Sequence, residues 1–163
     1  LYFSDKAAEF VYNTKIEAFK NTVTCLLVIK PIANNQHRVL LSTEFGNTLL
    51  DITTTENSYI KNYAIPDLDR KIILNMLSRD FKIMLTQVCQ VSSENTNLVY
   101  ASFQNRNNYY LTYSNDQLQS IQFAKSKQKL LINYSDIVAQ KANTINIEHL
   151  DYNIKIQMIK IDF

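Results

Sequence analysis

His37 and His149 are the only histidines in 163 residues. With Cys25, Cys89, Asp67, Asp69 and Asp80 they are the side chains best suited to acid–base, nucleophilic or metal chemistry. Such chemistry needs a base within reach of a nucleophile, or several ligands converging on one ion. Neither histidine sits in a recognisable nucleophile or metal motif, and both read as strand-surface or hairpin residues. The two cysteines stand 64 positions apart, outside any CxxC spacing, which argues against a zinc or thioredoxin-like site. One disulfide and two buried free thiols remain open. Asp67 and Asp69 read as cap and dipole partners at a helix start. Gly46 is the only glycine, so no Gly-rich loop can cradle a phosphate. No enzymatic activity, cofactor or metal is expected.

Binding is the chemistry that remains. In His37 to Ile52, HRVLLSTEFGNTLLDI, two apolar runs flank Phe45-Gly46-Asn47. Glycine reaches positive φ freely, and Gly-Asn suits a two-residue primed turn, so the stretch reads as a hairpin with Phe45 at its tip. Either another part of the chain covers that ring or something outside the protein does. A second candidate is Arg106 to Tyr113, where amides and aromatic rings mix as in a sugar-binding surface. Adjacent Tyr109 and Tyr110 must face opposite ways on a strand, and cross-strand tyrosine pairing explains the same letters. A third is the turn carrying Lys125, Lys127 and Lys129, which could meet anionic lipid or an acidic rim on a carrier; a solvated turn is the plainer reading. A net charge of +2 and the lack of an aromatic-basic motif argue against nucleic acid.

The elements that must position these residues are mostly strands. Ten Tyr, eight Phe and many Ile, Val and Thr favour β structure. With one glycine and two prolines, asparagine must supply the turns, at Asn34-Asn35, Asn107-Asn108 and Asn115. Val11–Phe19, Val23–Lys30, the two hairpin arms and Tyr59–Ala64 form a meander, after a leader with a short helix near Ser4 to Phe10. Ile65-Pro66-Asp67 then starts a helix over Leu68 to Thr86, capped by Asp67. Apolar residues cover more than one stripe of it, Leu74 and Ile83 falling off the main face, so it needs cover on more than one side. It is either plain core or the lining of an apolar cavity. Val91–Asn97 reads as a polar linker. Leu98–Phe103 and Tyr109–Tyr113 form a hairpin, and Leu118–Ala124 and Lys129–Tyr134 another. Ser135–Asn143 is a connection with one helical turn. Thr144–Glu148 and Asn153–Phe163 close the sheet, with a phase change near Met158-Ile159 that predicts a β-bulge. About eleven antiparallel strands around one long helix result, α+β but mostly β, in one domain spanning 1–163.

Three segments, in order, resemble the LolA/LolB lipoprotein-localisation family, its outer-membrane receptor branch LolB in particular. One is the hairpin, as Arg38-Val39-Leu40-Leu41-Ser42, Phe45-Gly46-Asn47-Thr48 and Leu50-Asp51-Ile52. Another is Leu118 to Tyr134, LQSIQFAKSKQKLLINY, and the third is Asn143 to Phe163. Glu44 stands where the family usually has proline, and the family's tryptophans are absent. The resemblance implies a half-barrel whose concave face, partly covered by helices, holds acyl chains. It implies a non-catalytic protein that accepts lipoproteins from a periplasmic carrier and passes them to the membrane through the apolar residue at its hairpin tip, which Phe45, beside Gly46, matches.

An acyl chain needs an apolar cavity and little else, at about 0.8 kcal/mol per buried CH₂. Ile73, Met76, Leu77, Phe81 and Met84 are the expected wall, flexible Met76 and Met84 suiting varied chains. Some of the five are expected to be ordinary core. The expected partners are acyl chains of lipoproteins or phospholipid, a carrier and the membrane surface, with the chain itself a monomer. The expected location is the periplasmic side of a Gram-negative outer membrane. Because the sequence starts at Leu1, an export signal and a lipid-bearing cysteine are expected upstream. The alternative is an envelope module that binds carbohydrate or a protein partner on the same scaffold.

Overall fold

Along Ile154–Lys160, Ile154, Ile156 and Met158 are buried while Lys155, Gln157 and Ile159 face out. This period-two alternation, set by strand geometry, governs most of the chain. The computed structural model describes residues 2–3, 5–18, 20–33, 35–55, 58–85, 90–95, 98–103, 107–123 and 130–162, and from 90 to 108 the backbone path alone. The strands are β1 (Phe10–Ala18), β2 (Asn21–Ala33), β3 (Gln36–Ser42), β4 (Thr48–Thr54) and β5 (Tyr59–Ala64), followed by the helix α1 (Lys71–Leu85). Then come β6 (Gln90–Asn95), β7 (Leu98–Phe103), β8 (Asn107–Ser114), β9 (Gln117–Phe123), β10 (Leu130–Val138), β11 (Lys141–His149) and β12 (Ile154–Lys160). Their hydrogen-bonded order is β5-β4-β3-β2-β1-β12-β11-β10-β9-β8-β7-β6. The architecture is the expected one, an antiparallel, mostly β fold with one long helix.

The residues gather into two compact units. The helical unit holds Tyr2–Thr14, Thr24–Gln87 and Lys160–Phe163. In it Leu27, Ile29, Val39, Leu41, Leu50 and Ile52 form a fully buried apolar face on β2, β3 and β4, and α1 lies against β4. Tyr2 and Phe3 are buried in the same unit, with the Phe3 ring edge-on to Phe10 at 5.1 Å between centroids. The second unit holds Lys15–Val23 and Val88–Ile159. Its core is aliphatic, with Ile132, Ile145, Ile147, Ile156 and Met158 on facing positions of β10, β11 and β12.

Several boundaries differ from the sequence reading, each for a local reason. Among the described residues twelve strands form rather than eleven, because Gln90–Asn95, overlapping the stretch Val91–Asn97 read as linker, is β6 at the sheet's edge. An edge strand has one partner and carries polar residues as protection against further pairing, which hides it from a hydrophobic pattern. Ser135–Asn143 is no loose connection: β10 and β11 run on to a two-residue turn at Ala139 and Gln140, with φ of 48° and 58°. Both central residues of a primed turn need positive φ, and Ala-Gln carries none of the usual Gly or Asn signal. Asn107 and Asn108 lie inside β8 rather than in the turn before it, whereas Asn115 and Asp116 do make a left-handed pair between β8 and β9. No bulge interrupts β12 on its β11 side, where the register is unbroken from Ile154 to Ile159; Ile159 is an outward residue.

The leader forms no helix over residues 5–9; Asp5 instead accepts the Ala7 and Ala8 amides through its side chain and carbonyl. The helix starts later than expected. Pro66 to Leu68 form a turn closed by the Leu68 and Asp69 amides on the Ile65 carbonyl, and α1 begins at Lys71 with no acidic residue in its first turn. Asp69 is therefore no dipole partner; its carboxylate accepts from Lys61 on β5 at 2.7 Å. Asp67 stands in the turn, not at the cap. A proline after a strand marks the end of that strand more reliably than the first residue of the next helix.

Candidate functional site

The hairpin of β3 and β4 carries the tip residue. The Gly46 amide donates to the Thr43 carbonyl at 3.0 Å, and Thr43 donates to the Asn47 carbonyl at 2.9 Å. The Thr43 hydroxyl in turn accepts the Asn47 amide at 3.0 Å. This is a three-residue loop, Glu44-Phe45-Gly46, with glycine in the left-handed third position at φ +83°, and not the two-residue Gly-Asn turn read from the sequence. The hairpin and its tip residue stand as expected. Phe45 is 93% exposed, so nothing in the described chain covers it. A Cβ on Gly46 would meet nothing within 4 Å, so Gly46→Ala is expected to cost only the left-handed backbone penalty of about 1 kcal/mol, readable as a small drop in urea midpoint.

On α1 the expected wall residues divide. Leu77, Phe81 and Met84 are buried, while Ile73 and Met76 are half-buried and Ile72 is 66% exposed. Leu74 and Ile83, off the main stripe, are buried as well, so the helix is covered on more than one side. Sharing its interior are Ser78 and Asp80, both buried, with Arg79 3.5 Å from the Asp80 carboxylate. The Tyr59 hydroxyl on β5 donates to the Asn75 side-chain oxygen at 3.0 Å and ties the edge strand to the helix.

Neither histidine lies on a strand surface. Both are 3% exposed, and strand parity explains why: His37 shares a face with Val39 and Leu41, His149 with Ile145 and Ile147. That parity was available in the sequence and outweighs residue type. Burial holds His37 below its ordinary pKa, partly offset by a hydrogen bond to the Phe3 backbone. Cys25 is a buried free thiol, raised to about 11 by burial, and inert at neutral pH; Cys89 lies outside the described residues. No three His, Cys, Asp or Glu residues converge on a metal-sized site among the described residues.

A polar cluster that the sequence reading did not single out sits on β3, β4 and β5. Arg38 grips Asp51 with two hydrogen bonds, at 3.0 and 2.6 Å, and Asn62 donates to the same carboxylate at 3.0 Å. The Arg38 guanidinium, then Asn62, holds the Asp51 carboxyl below its ordinary pKa against the effect of burial. Arg38 and Asp51 are diagonal neighbours across the ladder, the geometry in which such pairs fix register.

Among the described residues the other candidates assemble no site. Tyr109 is buried edge-on to Phe123 at 5.3 Å and Tyr110 is exposed, so the pair faces opposite ways as expected. Arg106 and the lysine turn at 125, 127 and 129 lie outside the described residues. A depression of about 230 Å³ in the second unit is lined by Lys15, Glu17, Asn146, Glu148, Lys155 and Gln157 with Ile147 and Ile156 beneath. Lys15 pairs with Glu17 in it, and none of the five helix residues borders it.

No family profile and no curated protein matches the sequence. Solved structures do. A LolA-superfamily protein from Nitrosomonas europaea superposes with a TM-score of 0.60, over 99% of this chain and 86% of that one, at 9% identity. The chain shares its fold with that LolA-superfamily protein. A DUF1329 family protein from Desulfovibrio piger superposes with a TM-score of 0.52, over 97% of this chain and 85% of that one, at 8% identity. At such identity the likeness concerns architecture alone. No helix among the described residues is long and apolar enough to cross a membrane.

Proposed function

We propose that this chain is a non-catalytic acyl-chain binder that works at a membrane surface, taking lipidated protein or lipid at the periplasmic face of an outer membrane. The observation that carries the reading is Phe45, 93% exposed on a tightly hydrogen-bonded turn, in a chain with the LolA-superfamily fold. A large apolar side chain held out in water gains about 1.5–3 kcal/mol when it enters an apolar phase. The turn pre-organises it, so little entropy is lost on contact. Half-buried Ile73 and Met76, with Leu77 and Met84, form the apolar surface that an acyl chain meets, while Phe81, fully buried, packs as core. Transfer needs no nucleotide and no covalent step, only an affinity between those of donor and acceptor.

Native mass spectrometry of the purified chain, with lipid extracted from the same sample, tests the cavity. Bound phospholipid or acylated peptide is expected, and is expected to be lost when Met76 is replaced by Glu. Liposome co-sedimentation tests the tip: Phe45→Glu is expected to remove most of the membrane-bound fraction while leaving the melting temperature and lipid content unchanged. A clean apo mass that takes up no offered lipid would sink the acyl reading, and unchanged sedimentation of Phe45→Glu would sink the role of the tip.

A further inference from the structure

Every residue lining the depression of about 230 Å³ belongs to the second unit. Along β11, Asn146 and Glu148 alternate with buried Ile145, Ile147 and His149. Along β12, Lys155 and Gln157 alternate with buried Ile154, Ile156 and Met158. Parity therefore puts these four polar side chains on the sheet face opposite the aliphatic core. In register, Asn146 stands opposite Gln157 and Glu148 opposite Lys155, with the pair Ile147 and Ile156 between them. Both isoleucines are fully buried with side chains turned to the core, so the floor is closed. Lys15 and Glu17, on the neighbouring strand β1, complete the rim.

Some of the rim is engaged and some is free. Lys15 is paired with Glu17. The Glu17 carboxyl is held below its ordinary pKa by Lys15 first and, to a lesser degree, by the charge of Lys155, which therefore lies within electrostatic reach of it. Among the described residues, no hydrogen bond or ion pair engages the side chains of Asn146, Glu148, Lys155 or Gln157. Their strands hold these free groups roughly 4.8 Å apart across the ladder and about 6.6 Å apart along it.

The chemistry of the rim restricts what would fit. Its two ammonium and two carboxylate groups cancel, so it offers no net attraction to an ion. A lone anion meets Glu17 and Glu148, and a lone cation meets Lys15 and Lys155. Each side-chain amide both donates and accepts, while Glu148 accepts and Lys155 donates. A hydroxyl does both, so a neutral ring carrying several hydroxyls satisfies all four with no charge to offset. The volume is that of roughly eight liquid waters at about 30 Å³ each, the room that one sugar ring needs. No aromatic side chain is among the lining residues, so binding there rests on hydrogen bonds without stacking.

We infer that the outer face of β11 and β12 holds one neutral hexopyranose ring of a glycan, its hydroxyls shared among Asn146, Gln157, Glu148 and Lys155. The site is independent of the acyl reading, whose residues lie on α1 and the β3–β4 hairpin in the other unit. The competing occupant is water over a solvated strand face, with no preference among solutes.

The isotope-labelled full chain is titrated with the methyl α-glycosides of glucose, galactose and mannose while its amide NMR spectrum is recorded. At least one is expected to bind at roughly 1–10 mM, the range that a few net hydrogen bonds reach, and to move the amides around Glu17, Ile147 and Ile156. Asn146→Ala and Gln157→Ala are each expected to weaken binding about fivefold and to leave the thermal midpoint nearly unchanged. Because the ligand is uncharged, its affinity is expected to hold within about twofold from about 20 to about 300 mM salt. No binding of any glycoside at about 50 mM overturns the inference, as a solvated strand face predicts. Shifts that map elsewhere, or affinity that survives both substitutions, overturn the assignment to these residues. Phosphorylethanolamine is titrated alongside: tighter binding than every glycoside, weakened by salt, would make the ligand a zwitterion and overturn the neutral sugar. None of these outcomes bears on lipid binding, which Met76→Glu and Phe45→Glu test separately.

Discussion

Phe81→Ala is expected to lower the unfolding free energy by about 3–5 kcal/mol, the largest effect of any single substitution considered for this chain. The ring is 1% exposed, at the middle of α1, among the largest fully buried side chains of the fold. Deleting it removes the transfer term and leaves a void that the helix and β4 can close only in part. For a chain of this size each kcal/mol moves the thermal midpoint by roughly 2–4 °C, so the melt should fall by about 6–20 °C. Phe45→Ala is the matched control: the same side chain, fully outside, should move stability by less than about 0.5 kcal/mol. The measurement also separates the two readings of the helix. A ring packed as core loses the full amount, whereas a ring lining open space already lacks part of its contacts. A loss under about 1.5 kcal/mol would therefore assign Phe81 to a cavity wall rather than to the core.

Acidification from pH 7.5 to 5 is expected to destabilise the fold, chiefly through His37. The folded chain holds that imidazole below its ordinary 6.5 because burial penalises the charged form. The unfolded chain therefore takes up the proton first. The stabilising difference is complete above pH 6.5 and is lost as pH falls from there through the folded value, at up to about 1.4 kcal/mol per pH unit for one group. Asp51 acts in the same direction in a lower window. Its carboxyl is held below 3.8 by Arg38, so its contribution is intact above that value and disappears as pH falls below it. Urea unfolding across the range checks both. His37→Phe is expected to flatten the slope between pH 6.5 and 5 and to leave the steeper loss below 4 in place. An unaltered slope in that variant would show that another group carries the acid sensitivity.

Much of the fold was legible because strand and helix periods are local. Val39, Leu41, Leu50 and Ile52 alternate, and all four are fully buried. The single glycine placed the tip, and the irregular apolar face of α1 correctly announced cover on more than one side. What escaped was of two kinds. Turns made from residues without a turn signature, such as Ala139-Gln140, were invisible to composition, since their positive φ is imposed by the strands they join. The edge strand β6 escaped because its role is to avoid pairing, and polar side chains serve that role.

For the site, the sequence by itself determined which residues are available: no phosphate loop, no closely spaced cysteine pair, one aromatic residue at a hairpin tip and one helix rich in Leu, Ile and Met. Tertiary structure decided exposure and company. Phe45 is left in water because no described segment reaches the end of β3 and β4, a fact about where other segments run. His37 is buried because strand parity puts it beside Val39 and Leu41 and the leader folds Phe3 onto it. Tyr59 and Asn75, 16 residues apart in the chain, are joined by a hydrogen bond that ties the edge strand to the helix. Local periods fix which face a side chain takes. What lies opposite that face depends on contacts distant in sequence, and only the folded chain specifies those.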